Sequence, residues 1–282
     1  MAGPSGPTNN SHAPLSGGHV LLIGAGPGDP DLLTVRAVRE IAAAEVVFVD
    51  RLVGKGVMDL IPPSAEIVHV GKSKGEHSVP QDEIHLRMIV AAKAGKRVVR
   101  LKGGDPFIFG RGGEEVEALR EAGVAVDVVP GISAALGVAA AAQIPLTHRD
   151  TAQAVTFVTG HAKLGQEPDL DWQALARPNQ TVVVYMGVGT AGTIAARLVA
   201  AGREPATPVA VIENGTRANE IRAFGALGSL SEIIQTAGIQ GPALLIIGEV
   251  VAVAKDAQSI ARDAVKAAKV SPSLSDLWRM FS

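Results

Sequence analysis

The sequence predicts an α/β protein of two successive α/β domains with mainly parallel or mixed sheets. Three observations predict it. Short apolar runs that end in glycine or charge alternate with segments of helical period. The alternation pauses at the connector Pro145–Arg149 and then resumes with a different spacing. Of the 282 residues, 47% are hydrophobic, which suits one large or two modest buried cores.

Each element follows from local pattern. Val20–Ile23 is an apolar run ending in glycines, as a buried strand should be. Leu33, Val35, Ala37, Val38, Ile41 and Ala42 recur with helical spacing within Leu32–Ala44. Glu45–Val49 is a strand that stops at Asp50-Arg51, and Glu66–Val70 is a strand that runs into Gly71-Lys72. Pro80–Ala94 reads as a helix, Arg97–Leu101 as a strand, Glu114–Ala122 as a helix and Ala125–Val129 as a strand. Pro130-Gly131 opens a helix of small residues that continues through Ala142. Beyond the connector, Ala154–Val158, Thr181–Tyr185, Pro208–Ile212 and Ala243–Ile247 read as strands, and Ala191–Ala201 and Leu230–Ala237 as helices. Ile221–Phe224 reads as an added strand, with antiparallel pairing open to it. The expected organisation is a leader over 1–18, domains over 19–147 and 148–254, and a helical tail over 255–282.

Composition excludes several function classes. The net charge is −2, so no global field draws the chain to nucleic acid or to an anionic membrane. Aromatic residues make up 3%, too few for a base-stacking platform. With no cysteine there is no disulfide, thiolate metal site or cysteine nucleophile, and no metal is expected. The longest apolar run, Ile132–Ala142, is shorter than the roughly 20 residues of a membrane span. The Gly/Pro/Ser/Asn-rich start lacks the basic and apolar parts of a secretory signal and reads as disordered. A cytoplasmic protein is expected.

Four glycine-bearing loops follow strands, where ligands of α/β sheets bind, and two of them are informative. Gly24–Pro30 has two glycines of a dinucleotide fingerprint but Asp29 at the third position, and no Lys-Ser/Thr of a phosphate-binding loop follows. Lys102–Glu115 is longer than an ordinary connection and carries five glycines and two phenylalanines. Asp105 suits ribose hydroxyls, a ligand amine or a turn cap. Arg111, between glycines, suits a carboxylate ligand or a partner in Glu114 or Glu115.

Taken together, Gly24–Pro30, Asp50-Arg51-Leu52-Val53, Val70-Gly71-Lys72, Lys102–Glu115, Val129–Ala134, Pro145–Asp150 and Tyr185-Met186-Gly187 resemble the uroporphyrinogen-III C-methyltransferases of the tetrapyrrole methylase superfamily. The resemblance runs over about residues 19–250. It implies S-adenosylmethionine as cofactor, folded into the cleft between two domains, and a homodimer. It implies two successive methylations of uroporphyrinogen III, giving precorrin-2 and S-adenosylhomocysteine. Carried over by position, the cofactor contacts are Pro27, Gly103, Gly104, Asp105, Ile108, Ser133, Ala134, Met186, Gly215 and Ala243. The family more often has Thr where Ser133 stands, and Tyr where Val49 stands.

The same resemblance makes Asp50 the general base, Lys72 the general acid or electrostatic partner, and Arg111 a third catalytic candidate. A sulfonium methyl is already activated, so the remaining demand is alignment and one proton acceptor. For the carboxylates of the substrate, Arg51, Arg111 and Arg149 are the candidates, with His148 and Glu114 beside them. Each has a plainer alternative: an ion pair for Asp50, an exposed loop position for Lys72, a packed or solvent-facing connector for His148, core filling for Met186. The competing functions are a methylase of a later corrin intermediate, a non-catalytic S-adenosylmethionine sensor and a nucleotide-binding dehydrogenase.

Overall fold

A computed structural model describes residues 18–70, 80–161 and 167–254. Lys72, residues 1–17 of the expected leader, and the expected tail over 255–282 lie outside the described residues. The chain divides into two compact units, one up to Ile132 and one from Ser133, whose described residues are 18–70 and 80–132 in the first and 133–161 and 167–254 in the second.

The first unit holds β1 (His19–Gly24), α1 (Val35–Ala42), β2 (Val46–Val49), α2 (Lys55–Met58), β3 (Glu66–His69), α3 (Gln81–Lys93), β4 (Arg97–Lys102), α4 (Gly112–Glu121) and β5 (Ala125–Val129). Among the described residues its strands pair in parallel, in the order β3-β2-β4-β1-β5. Both faces are covered, which is why the strands read as unbroken apolar runs. On one face Leu21, Ile23, Val47, Val99 and Leu101 pack against Ala37 and Ile41 of α1 and Val57 of α2. On the other face Val20, Leu22, Val46, Phe48 and Val98 pack against Ile84 and Met88 of α3 and Val116 and Leu119 of α4. The chain leaves β1 for α1 on one face and leaves the neighbouring β4 for α4 on the other. That reversal is the topological switch point at which α/β sheets bind ligands.

The second unit holds α5 (Ala134–Ala141), β6 (Ala154–Thr159), α6 (Trp172–Leu175), β7 (Gln180–Tyr185), α7 (Ala191–Ala200), β8 (Pro208–Glu213), β9 (Ile221–Ala226), α8 (Leu230–Thr236) and β10 (Ala243–Ile247). Its sheet is mixed, in the order β6-β7-β10-β8-β9. β6 and β7 are parallel, β10 runs antiparallel to both β7 and β8, and β9 is antiparallel to β8. Helices α6, α7 and α8 cover one face, while α5 and the turn at Val250-Val251 cover the other.

Two expectations change. The division falls after Ile132, ahead of the Pro145–Arg149 connector, because Ala135, Val138 and Ala139 of α5 pack with Val183, Ala210 and Leu244 of the second sheet. The helix expected from Pro130 begins only at Ala134, with Ser133 as its cap. Gly131 is held against Gly24 and Gly104, where a Cβ would lie 2.3 Å from the Gly104 carbonyl oxygen. No helix among the described residues is long and apolar enough to cross a membrane.

Candidate functional site

In the first unit the loops after β1 and β4 are joined. Gly104 N–H donates to Gly26 O at 2.7 Å, and Gly26 N–H returns to Gly104 O at 3.2 Å. Asp105 braces the same point: its Oδ1 accepts Phe107 N–H at 2.9 Å and its Oδ2 accepts Gly131 N–H at 3.1 Å. One carboxylate thus ties the turn after β4 to the chain leaving β5, and the turn-capping option for Asp105 is realised. Pro27, Gly103, Gly104, Asp105 and Ile108 therefore lie together at the carboxyl ends of β1 and β4. Gly103 has no room for a side chain, since a Cβ would meet Leu52 Cβ at 2.8 Å. Phe107 is 57% exposed, a large apolar face presented by this loop.

Arg111 has a left-handed backbone, φ 58°, and caps α4. Its Nε donates to Glu114 Oε1 at 3.0 Å. Hydrogen bonding to Glu114 raises the guanidinium above its ordinary value, and the same bond holds Glu114 below the usual carboxylate range. Both side chains are solvent-facing, and their partnership is with each other.

Glu115, one residue on, points the opposite way. Alternation along β4 sends Val98, Arg100 and Lys102 towards α3 and α4. Arg100 Nε and Lys102 Nζ each donate to Glu115 Oε1 at 3.0 Å, and Gln81 Nε2 donates to the same oxygen at 3.2 Å. Arg100, Lys102 and Glu115 are all buried. Burial pushes the Lys102 ammonium below its ordinary value, Arg100 adds to this, and Glu115 opposes it. Asp50 lies at the rim of this cluster, with Oδ2 4.0 Å from Arg100 Nη2. Its backbone N–H donates to Leu101 O at 3.0 Å, which continues the β2–β4 ladder. Arg51 beside it is exposed. Val49 faces the α1 layer and is buried there.

In the second unit, antiparallel β10 starts where β7 and β8 end, with Leu244 opposite Tyr185 and Ala243 opposite Glu213. Met186, Gly215 and Ala243 consequently share one end of the sheet. Met186 has φ 53° and is 52% exposed. Gly215 abuts α5, where a Cβ would meet Val138 Cγ2 at 2.4 Å. Ser133 and Ala134 join this group because Ser133 Oγ is 2.6 Å from Tyr185 Oη.

His148 and Arg149 are on a separate turn leading into β6. His148 N–H donates to Ala152 O at 2.9 Å, and His148 Nδ1 accepts Asp150 N–H at 3.3 Å. β6 starts opposite Gln180, at the beginning of β7, whereas Met186 follows the end of β7. Within this unit, then, the turn and the Met186 group are at opposite ends of the sheet.

The residues that sequence reasoning misses are Arg100, Lys102 and Tyr185. Two cations at alternate positions of an otherwise apolar strand are the available signal for the first two, since both must enter one face.

Residues 19–231 match the family model described as Tetrapyrrole (Corrin/Porphyrin) Methylases. A siroheme synthase of Chromobacterium violaceum is 54% identical over 237 residues, covering 84% of this chain and 50% of that protein. One from Stutzerimonas stutzeri is 53% identical, covering 85% and 51%. The chain thus spans about half the length of the curated relatives it matches. Among solved structures, the uroporphyrin-III C-methyl transferase from Thermus thermophilus complexed with S-adenosylhomocysteine is 44% identical, with a TM-score of 0.72 over 83% of this chain and 99% of that one. A cobalt precorrin-4 methyltransferase is 29% identical, with a TM-score of 0.74 over 83% and 96%. The chain belongs to the tetrapyrrole (corrin/porphyrin) methylase family.

Proposed function

We propose that the chain methylates uroporphyrinogen III at two pyrrole carbons, by way of precorrin-1, to give precorrin-2 and S-adenosylhomocysteine. The observation that carries this reading is the glycine junction at the switch point of the parallel sheet, braced by Asp105. That junction lies within residues 19–231, which the family model matches, and a relative with 44% identity is described in complex with S-adenosylhomocysteine.

The residues present fit an adenosyl sulfonium donor. The strand ends offer side-chain-free backbone at Gly103 and Gly104, and Phe107 and Met186 present apolar faces. By the resemblance, Pro27, Gly103, Gly104, Asp105, Ile108, Ser133, Ala134, Met186, Gly215 and Ala243 would contact it. When bound, S-adenosylmethionine supplies an activated methyl group. Asp50 is the general base that takes the proton from the alkylated ring, and Lys72 is its acid or electrostatic partner. Arg51, Arg111 and Arg149 grip carboxylates of the tetrapyrrole, with His148 beside them. Glu114 accepts from a pyrrole N–H, and Arg111 also steers proton loss. The functional unit is a homodimer in the cytoplasm, and the product enters sirohaem, cobalamin or haem d1 synthesis.

The alternative is a methylase of a later corrin intermediate, favoured by the TM-score to the cobalt precorrin-4 enzyme. Incubation with uroporphyrinogen III and methyl-labelled S-adenosylmethionine, followed by mass spectrometry of the tetrapyrrole, decides between them. Two labelled methyls per ring are expected; an unaltered uroporphyrinogen III would overturn the proposal.

A further inference from the structure

Tyr185 ends β7 and is outside the cofactor and substrate contacts proposed above. Its phenol oxygen accepts Ala135 N–H at 3.0 Å and lies 2.6 Å from Ser133 Oγ. Ser133 caps α5 from an extended backbone, φ −60° and ψ 145°, yet its own hydroxyl makes no bond to the first turn. A serine in that place ordinarily accepts the amide of the second or third helical residue. Here a side chain from the sheet takes the amide of Ala135, and the serine hydroxyl bonds to that side chain instead. Phe157 of β6 stands edge-on to the ring, with centroids 6.1 Å apart. The phenol is thereby fixed by its strand, by a neighbouring ring and by the helix it caps. The residue after it in the chain is Met186, held at φ 53°.

We propose that Tyr185 is a positioning residue for the cofactor: its phenol, bonded at once to Ser133 and to the first turn of α5, sets the places of Ser133, Ala134 and Met186. This rests on the proposed function for the identity of the ligand. A phenol has one proton and two lone pairs. Ala135 N–H occupies one lone pair, and Ser133 uses the proton or the other lone pair. Removing the oxygen leaves the Ala135 amide without its acceptor and frees the serine to rotate.

Titration calorimetry of the full chain with S-adenosylhomocysteine tests this in wild type, Tyr185→Phe, Ser133→Ala and the double variant. Tyr185→Phe should weaken binding about tenfold, the scale of one lost hydrogen bond. The double variant should be no weaker than Tyr185→Phe, because Tyr185→Phe already severs the bond that Ser133→Ala removes. Ser133→Thr keeps the hydroxyl and should bind like wild type. The KM for uroporphyrinogen III should not move. Unchanged affinity in Tyr185→Phe overturns the inference, as do losses that add in the double variant. Equal losses for both ligands with a lowered melting temperature would mark a merely structural role and also overturn it. If Tyr185→Phe does not fold, Ser133→Ala carries the same expectation. Wild-type chain that binds no S-adenosylhomocysteine fails the functional reading itself, an outcome distinct from equal binding by wild type and variant.

Discussion

Glu115 is fully buried at the start of α4, and its carboxylate holds the Lys102 ammonium at 3.0 Å. It holds Arg100 as well, so one buried anion serves two buried cations. Removing the anion strands both. Glu115→Gln should therefore cost about 3–5 kcal/mol, the scale for breaking a buried pair by deleting one partner. Urea denaturation measures it, and a loss under about 1 kcal/mol would place the cluster in water rather than in the core.

Lys102 adds a pH dependence of defined sign. Burial lowers its folded value below the ordinary 10.5. Between the folded and unfolded values, the unfolded chain carries the extra proton, so this group makes stability rise with pH across that window. Lys102→Met removes the dependence. The stability of wild type relative to Lys102→Met should climb as pH rises towards 10.5. A flat difference between the two curves would contradict the assignment.

Glu114 is the neighbour with the opposite expectation. Its partner Arg111 is exposed, and exposed pairs contribute little, about 0–1 kcal/mol. Glu114→Gln should leave the urea midpoint almost unmoved while reducing the rate of tetrapyrrole methylation. A variant that loses stability and keeps its rate would make the pair a structural one.

The contrast between these adjacent glutamates shows where the sequence is readable. Strand positions are, because runs such as Val98-Val99 and Val182-Val183-Val184 are buried on both faces and admit little else. The direction of β10 is not: Ala243–Ile247 is buried whichever way it runs, so its pattern carries no sense of direction. The start of α5 is misplaced by local pattern because Gly131 permits a helix locally and is kept out of one by Gly24 and Gly104, which are distant in the chain. The Lys102–Glu115 loop is marked as a candidate site by its length and glycine content rather than by a spacing rule. That Arg111 takes Glu114 and leaves Glu115 to the interior depends on where α4 lies against β4, which no local pattern encodes.

Gly131 offers the sharpest test of the loop junction. A Cβ there would lie 2.3 Å from Gly104 O and 2.7 Å from Gly24 C, backbone atoms that cannot rotate away. The loops after β1 and β4 must then separate, and the Asp105 bond to Gly131 N–H stretches with them. Gly131→Ala should cost about 1–3 kcal/mol by overpacking, and it should weaken S-adenosylhomocysteine binding, because Gly103, Gly104 and Asp105 move together. Gly113 is the control. It sits inside α4 with nothing within 4 Å of where a Cβ would stand, so Gly113→Ala should be neutral or gain about 0.5–1 kcal/mol. Calorimetry on both variants separates the effects: Gly131→Ala that binds the ligand as tightly as Gly113→Ala would detach the junction from the cofactor site.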